Sequence, residues 1–360
     1  MHNVRRSVWD GKPESIFMLL QQSNRLMNKN LYVGCDICKA SIDVCVHHEG
    51  HPARSKQFPN SAMGHEQLIE WITLAKARVR LVMEAIGSYS IDFALALNAR
   101  PFIELMVANP SSTRQFARAQ MRRSKTDRVD ADMLADFAER MTFVPWTHPE
   151  REILELRGMA RRMQALTVER TRERARIHQA LSTKTTPAVV INDIEVNIRH
   201  LERRIEAMLR RALRLVASHD RMLEAFKMLI SIRGIANKSA IMILPEILIL
   251  PDSMSVRQWV AHAGLDPRKY ASGDSVEKRE RISKMGNVKL RRALYMPALV
   301  AIKWEPNITA FYEHLIARGK KPLVAIVAVM RKLLHAIYGM FEHNTGFDGD
   351  KFYQIPVPST

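Results

Sequence analysis

Cysteine is scarce in this chain of 360 residues, which contains only Cys35, Cys38 and Cys45. An odd number of closely spaced thiols disfavours a disulfide framework. Cys35 and Cys38 have the spacing of a zinc half-site. The sequence lacks a second CxxC or a spaced histidine pair that would complete four ligands, so a zinc centre on these two thiols is disfavoured.

Long apolar runs are also absent, since no stretch of 18 consecutive apolar residues occurs. The sequence therefore predicts no segment that spans a bilayer. The apolar IFMLL segment near the start is too short for a signal peptide and is followed by the polar QQSNR. We expect a cytoplasmic protein.

Acidic residues are outnumbered by basic ones, with 37 Asp and Glu against 55 Lys and Arg, and the net charge is +18. This excess exceeds what solubility requires and favours a polyanionic partner, nucleic acid before membrane. The hydrophobic content of 47% supports a substantial core. The length allows two or three domains.

The first half of the chain has an α/β order of segments. LYVGCDI and SIDVCVHH predict a strand hairpin, because the link between them is short and the second run alternates in polarity. Strands and helices then alternate. The predicted strands are 31–37, 41–48, 53–60, 79–84 and 101–110; the predicted helices are 62–76, 89–98, a short basic helix before KTDRVDA, and the helix that begins in that motif.

Four carboxylates mark these predicted elements at informative places. Asp36 and Glu84 lie at strand ends, where open α/β sheets place their ligands. Asp127 and Asp130 in KTDRVDA are three residues apart, which puts them one turn apart on one helical face. Four close anions raise one another's pKa values, and a divalent cation removes that penalty. Hard oxygen donors favour Mg²⁺ or Mn²⁺, and two such ions can clamp a phosphodiester.

The same residues also have simpler explanations. Asp36 would end a strand, Glu84 would be an exposed glutamate, and the helical pair would start a helix with Asp127 as its cap. The order of the four acids, on the expected types of element, favours the metal site over these roles.

The middle of the chain predicts two long helices. A linker with two prolines at 141–150 precedes an arginine-rich helix at 151–183, and Pro187 separates it from a second helix with a heptad seam. An antiparallel hairpin results. Its basic face is either a solvated surface or an arm that contacts nucleic acid or a second copy. The seam consists of Ile194, Ile198, Leu201, Ile205, Met208, Ala212 and Leu215.

The C-terminal part begins with an apolar helix, a turn centred on Gly234 and a second apolar helix. This pattern is typical of a helix-hairpin-helix, and equally of a plain helical turn. A helix that ends at Gly264 follows, and then the ASGDS segment, which predicts a flexible loop. By composition alone, Ser272 is a loop residue rather than a nucleophile. Residues 345–360 are expected to be a frayed tail.

Several of these segments closely resemble the insertion-sequence-110 family of bacterial transposases, which includes the Piv-type site-specific invertases. The resemblance covers about residues 30–340. The most specific segments are KTDRVDA and ISKMGNVKLRRALY; others are VGCDICKASIDV, VMEAIGSYS, SIRGIANKSA and WVAHAGLDPRKYASGDS.

The resemblance implies a RuvC-like, ribonuclease-H-type domain with an Asp-Glu-Asp-Asp metal site. Matched by motif, these residues are Asp36, Glu84, Asp127 and Asp130. It also implies a C-terminal transposase domain whose Ser-Gly motif supplies a serine nucleophile, here Ser272. The implied partners are donor and target DNA and a structured non-coding guide RNA. Dimers joining into tetramers, with catalytic domains meeting in trans, are implied as well.

The chain departs from the family pattern at two places, since Cys38 stands where serine is usual and ASG replaces Ser-Ser-Gly. The expected division is an extension (1–30), a RuvC-like DEDD domain (31–145), a coiled-coil hairpin (150–220), a transposase domain (225–342) and a tail (343–360). The basic residues expected to contact nucleic acid are Arg122, Arg123, Lys125, Arg161, Arg162, Arg170, Arg174, Lys278, Arg279, Arg281, Lys284, Lys289, Arg291 and Arg292.

The function predicted from these observations is cutting and rejoining of DNA by a transposase. Two enzyme alternatives remain: an invertase acting at fixed sites, and a metal-dependent junction-resolving nuclease that uses only the carboxylates. A basic RNA- or DNA-binding protein with vestigial acids is the non-enzyme alternative. The presence of all four carboxylates together with Ser272 argues against a vestigial site.

Overall fold

The computed structural model describes residues 30–74, 77–84, 90–121, 126–272 and 276–355, with the backbone alone for 269–280. The chain divides into two compact units, and the boundary lies between His148 and Pro149. The first unit is α/β and the second is mainly helical, which confirms the predicted combination of classes. The division into five segments remains a prediction.

The first unit is built on a five-stranded mixed sheet with the order β3-β2-β1-β4-β5. Strands β1, β2 and β3 pair antiparallel, whereas β1, β4 and β5 run parallel. The elements are β1 Asn30–Ile37, β2 Ser41–His48, β3 Arg54–Pro59, α1 Ala62–Thr73, β4 Arg78–Glu84, α2 Ile91–Asn98, β5 Ile103–Ala108, α3 Pro110–Ala119 and α4 Asp127–Arg140. All five predicted strands are present.

The two faces of this sheet bury different helices, as the period of two along each strand requires. Apolar residues such as Leu31, Val33 and Ile42 pack with α1 and α2 in the larger core. The opposite face lies under α4, whose Leu134 and Phe137 pack in a second cluster. The active-site candidates on β1 and α4 therefore lie on the same side of the sheet.

Gly34 allows α4 to approach β1 closely. A Cβ atom at this position would lie 2.0 Å from the Ala131 carbonyl oxygen and 2.3 Å from the Ala135 nitrogen. Both are backbone atoms, so no rotamer change relieves the clash. Contact between helix and strand at this distance is possible only with glycine.

We expect Gly34→Ala to destabilise the first unit by about 3 kcal/mol or more, the upper range for overpacking. Chemical denaturation of the purified variant measures this loss. Gly158→Ala is the matched control, because Gly158 is exposed in a helix and its added Cβ meets nothing within 4 Å. That control should gain up to about 1 kcal/mol in helix propensity. Equal stability of Gly34→Ala and wild type would contradict the close packing.

The second unit consists of eleven elements within the described residues. They are α5 Arg151–Ser182, α6 Ala188–Ala217, α7 Asp220–Ser231, α8 Asn237–Leu248, α9 Val256–Ala263, β6 Pro267–Ser272, β7 Val276–Ile282, α10 Val288–Trp304, α11 Pro306–Ala317, α12 Pro322–His343 and α13 Gly349–Phe352. Helices α5 and α6 form the predicted hairpin, and Leu166 packs against Leu201 and Ile205. Helices α7 to α12 share one large apolar core with the bases of α5 and α6.

The prediction of a flexible loop around ASGDS is wrong for the residues that the structure describes. Strands β6 and β7 form an antiparallel hairpin in which Ser272 pairs with Val276. The strand signal was weak because charged residues separate the apolar Val276 and Ile282, so cross-strand pairing rather than burial defines these strands.

The prediction of a frayed tail is wrong for residues 345–355. Asp348 caps α13 by accepting hydrogen bonds from the backbone of Asp350 and Lys351. Phe352 is 3% exposed, and its ring centroid lies 5.8 Å from that of Phe311. A single buried aromatic residue in a polar segment gave no periodic signal in the sequence.

Helix α12 is long and apolar enough to cross a membrane by length and composition alone. Its residues Val329, Leu333 and Ile337 are fully buried within the second unit. These residues form the face by which the helix contributes to a core.

Candidate active site

The fold gathers the four predicted carboxylates of the first unit at one edge of the sheet. Asp36 lies near the end of β1, and Glu84 is the last residue of β4. These strands are parallel neighbours, so their carboxyl ends lie side by side. Asp127 and Asp130 occupy the first turn of α4, which Thr126 caps by accepting a hydrogen bond from the Val129 nitrogen.

The pKa of Asp36 is consistent with this placement. Burial and then the charges of Asp127, Asp130 and Glu84 raise the pKa of Asp36 from 3.8 to about 6. A neighbouring anion can raise a carboxyl pKa only if it lies close by. This electrostatic pattern agrees with the placement of the four residues, and their role as a metal site remains a prediction.

Asp43 also belongs to this group of acids, and the sequence reasoning missed it. It lies opposite Asp36 in the register of β1 and β2, and its charge contributes to the raised pKa of Asp36. The Gln57 side-chain amide donates a hydrogen bond of 2.9 Å to Asp43. The alternation of SIDVCVHH, combined with the hairpin prediction, contained the signal that would have placed it there.

Cys38 also faces the carboxylates. Its Sγ atom lies 3.8 Å from Oδ2 of Asp127. Desolvation and the charges of Asp127 and Asp36 raise the pKa of Cys38. Donor atoms of Asp36, Cys38 and Asp127 lie within 4.8 Å of one another.

The donor chemistry of this cluster fits a divalent cation. Carboxylate oxygens are the preferred ligands of Mg²⁺ and Mn²⁺. Burial and then the neighbouring carboxylates raise the pKa of Asp36, and a bound cation would offset both effects. Asp36, Glu84, Asp127 and Asp130 are the residues that would hold it. When bound, such an ion polarises a phosphodiester and stabilises charge on its oxygens.

Thr113 of α3 positions Glu84 from outside this cluster. Its side chain is fully buried, and its hydroxyl donates a hydrogen bond of 2.5 Å to Oε1 of Glu84. The sequence gave no sign of this contact, because Thr113 lies 29 residues away in a polar helix.

We expect Thr113→Val to lower recombination by roughly 10–100-fold, the usual cost of losing an outer hydrogen bond to a ligand. Valine keeps the shape of threonine but removes the donor. Thr113→Ser, which retains the hydroxyl, is the matched control and should stay near wild type. Equal activity of the valine and wild-type proteins in a plasmid recombination assay would refute a positioning role.

Ser272 is the last residue of β6, and its side chain lies outside the described part of the structure, as do those of Lys278 and Arg279. Arg122, Arg123 and Lys125 also lie outside the described residues. Arg281 in β7, Lys284, Arg292 and Arg162 are exposed, and Lys289 is half-buried. These residues remain predictions as nucleic-acid contacts.

Other predicted contact residues have partners inside the second unit. Arg161 binds the buried Glu246 with an N–O distance of 2.9 Å. Arg291 donates a hydrogen bond of 2.7 Å to the Ala263 carbonyl at the end of α9. Arg170 and Arg174 both approach Glu202 of α6, at 3.7 and 2.7 Å. The contacts of Arg161 and Arg291 support the fold, whereas the partly exposed ion pairs with Glu202 contribute little stability. All four arginines remain predictions as nucleic-acid contacts.

Comparison with known proteins links both units to one group of enzymes. Residues 33–185 match the DEDD domain of IS110 elements, described as transposase. Residues 226–313 match the transposase IS116/IS110/IS902 family. The two matches together span most of the described chain.

Individual relatives agree with these matches. Pilin gene-inverting proteins of Moraxella bovis and Moraxella lacunata are each 27% identical to the chain over 326 residues, which is 88% of this chain and 97% of the relative. An uncharacterised 43.6 kDa protein of insertion element IS110 from Streptomyces coelicolor is 23% identical over 186 residues, 51% of this chain and 44% of the relative. The chain belongs to the IS110 family of transposases and is a DNA recombinase.

Proposed function

We propose that the chain recombines DNA with a divalent metal, Mg²⁺ or Mn²⁺, held by Asp36, Glu84, Asp127 and Asp130. The observation that carries this proposal is the placement of Asp36 and Glu84 at the ends of neighbouring parallel strands, with Asp127 and Asp130 on the first turn of the helix that packs on them. A charge cluster that raises a pKa is costly without a cation and is typical of catalytic sites. The resemblance implies a RuvC-like fold for this unit. A transposase that acts on DNA is expected in the cytoplasm.

Ser272 is proposed as the nucleophile. Its hydroxyl oxygen attacks a DNA phosphorus; a phosphoserine bond forms as one bond from phosphorus to a deoxyribose oxygen breaks. The serine proton passes to solvent, and the departing sugar oxygen takes up a proton as a free hydroxyl. In the rejoining step, the free hydroxyl of a different strand end attacks the phosphorus. The bond from phosphorus to the serine oxygen breaks, and the serine takes up a proton. Lys278, Arg279 and Arg281 would stabilise the charge on phosphate oxygens.

A structured RNA encoded beside the gene is proposed to select donor and target DNA, in a homodimer that assembles into a tetramer. Support comes from the net charge of +18 and from membership of the family. The test is in vitro recombination of donor and target plasmids, with and without transcripts of the flanking non-coding DNA. Joining that requires the transcript supports guidance, and equal joining without it refutes guidance.

Site-specific inversion is a second candidate, favoured by the pilin gene-inverting relatives, which match over 97% of their length. A substrate plasmid with two inverted sites separates the two functions. Inversion without capture of a second plasmid indicates an invertase. Capture of a target by a donor circle indicates a transposase.

Nucleic-acid binding should weaken steeply with salt. A protein with 6–10 phosphate contacts loses roughly 10³–10⁵ in affinity between 50 and 200 mM salt. We expect Arg162→Ala, which removes an exposed charge on α5, to lower the slope of log K against log salt by about one. Glu195→Ala, which removes a partly exposed acid of α6, is the control and should not lower this slope. A flat salt dependence would show that the positive charge has another purpose.

A further inference from the structure

A group of metal donors outside the four carboxylates lies on the same face of the sheet. Cys45 and His47 are two residues apart on β2, so both side chains point towards α4. Sγ of Cys45 lies 3.5 Å from Oδ1 of Asp132, and Nε2 of His47 lies 2.8 Å from the same oxygen. One donor atom from each residue lies within 4.8 Å of the others.

We propose that Cys45, His47 and Asp132 bind a zinc ion that fastens α4 to β2. Thiolate, imidazole and carboxylate together are the donor set of zinc rather than of Mg²⁺ or Mn²⁺. The site is thus distinct in chemistry from the four carboxylates, and it does not depend on the proposed reaction.

The spacing of the donors is close to that of a zinc site. Bonds of about 2.0–2.3 Å in a tetrahedron place neighbouring ligand atoms roughly 3.5 Å apart. The separation of 3.5 Å between Cys45 and Asp132 already meets this spacing. The pair formed by His47 and Asp132 needs to open by roughly half an ångström, within the reach of a side-chain adjustment.

Asp136 lies beside the second ring nitrogen of His47. Oδ1 of Asp136 lies 3.5 Å from Nδ1 of His47, the ring nitrogen not used for the ion. Asp136 is 8% exposed and accepts a hydrogen bond of 3.2 Å from Gln120. A carboxylate that holds the second nitrogen of a histidine fixes its tautomer and is typical of zinc sites.

The position of this cluster indicates how an ion would enter the site and what the ion would do there. His47 and Asp136 line an open cavity of about 330 Å³, which gives an ion access to the imidazole of His47. Asp132 follows Asp130 by two residues on α4. An ion between β2 and α4 would therefore fix the helix that presents Asp127 and Asp130.

An ion pair without metal is the competing explanation. A hydrogen bond with Cys45, opposed by burial and aided by Asp132, raises the pKa of His47 to about 9. In that case the protonated ring of His47 alone serves as the polar partner of Cys45 and Asp132. The two explanations differ in whether a metal binds through the Cys45 sulfur.

Cobalt(II) added to the metal-free, full-length protein tests this, because a thiolate ligand gives cobalt an intense charge-transfer absorption. We expect this absorption at one cobalt per chain, its displacement by one equivalent of zinc, and its loss in Cys45→Ser and His47→Gln. It should persist in Cys38→Ala and in Asp36→Asn, which alter the neighbouring cluster. Zinc at about one hundred times its Kd should raise the Tm of wild type by roughly 5–10 °C, but not that of Cys45→Ser.

Three results would overturn the proposal. The first is no thiolate absorption in wild type, which leaves an ion pair only. The second is absorption that persists in Cys45→Ser and disappears in Cys38→Ala, which places the metal with Asp36 and Asp127. The third is an equal rise of Tm with zinc in wild type and Cys45→Ser.

Discussion

Replacing Asp36 by asparagine should abolish recombination and at the same time stabilise the metal-free protein. Asparagine keeps the shape of the side chain but removes the charge that holds a cation. The loss of recombination activity should exceed the roughly 10–100-fold loss that follows when a hydrogen-bond partner of a metal ligand is removed. The same reasoning applies to Glu84→Gln, Asp127→Asn and Asp130→Asn.

The gain in stability follows from the sign of the pKa shift. The pKa of Asp36 is raised from 3.8 to about 6 in the folded protein. Above pH 6 the folded state therefore carries an ionised group that it disfavours relative to the unfolded chain. Removing that charge should stabilise the first unit by about 1–3 kcal/mol at pH 7 without metal. This difference should shrink as the pH falls from about 6 towards 4, because wild-type Asp36 becomes protonated.

Activity and thermal unfolding of the same preparations measure both effects. Asp43→Asn is the matched control, because it removes an adjacent charge without removing a proposed ligand. It should stabilise the protein slightly and keep activity within about tenfold of wild type. Two of the four ligand variants retaining most of their activity with Mg²⁺ would disprove the four-carboxylate site.

Glu246→Gln should cause the largest loss of stability in the second unit. Glu246 of α8 is 1% exposed and binds Arg157 and Arg161 of α5 at 3.1 and 2.9 Å. It also accepts a hydrogen bond of 2.7 Å from Asn287, whose side-chain oxygen caps α10. One buried carboxylate therefore joins three helices. Removing one partner of such a pair costs about 3–5 kcal/mol because the remaining charges are left buried.

Glu202→Gln is the matched control for this variant. Glu202 pairs with Arg174 at 2.7 Å, but its side chain is 39% exposed, so its loss should cost less than about 1 kcal/mol. Urea denaturation followed by circular dichroism compares the two. A difference of less than about 1 kcal/mol between them would refute the structural role of Glu246.

The same carboxylate predicts an acid limit to stability. Although burial opposes the shift, hydrogen bonds and charges from Arg161 and Arg157 lower the pKa of Glu246 from 4.5 to about 2. Its contribution of about 3 kcal/mol is complete above pH 4.5 and is lost as the pH falls from there towards 2. In Glu246→Gln this part of the acid dependence should be missing.

The sequence was informative where a pattern repeats along one element. Period-two alternation predicted β1 and β2, and the heptad seam predicted α6. The three-residue spacing of Asp127 and Asp130 placed both on the first turn of α4. These features depend only on the repeat of a single helix or strand, so they are visible in the sequence as regular spacing.

Contacts that form only in the folded chain were not predictable. Thr113 contacts Glu84 only because the folded chain brings α3 to the last residue of β4. In the sequence, Glu246 is a single acid within an apolar helix. Its contribution to stability depends on two arginines that lie 85 and 89 residues away in the chain. Cys45 and His47 looked like ordinary strand residues, because their partner Asp132 lies on a distant helix.

The central claim is that Ser272 and the four carboxylates together cut and rejoin DNA. The most direct measurement is to stop a reaction with denaturant, digest the protein and locate any DNA-linked peptide by mass spectrometry. The account predicts an adduct on Ser272 that is present in Ser275→Ala, absent in Ser272→Ala and absent in Asp36→Asn. Normal cleavage by Ser272→Ala, with free 3′-hydroxyl and 5′-phosphate ends and no adduct, would contradict it and establish a nuclease that uses the carboxylates alone.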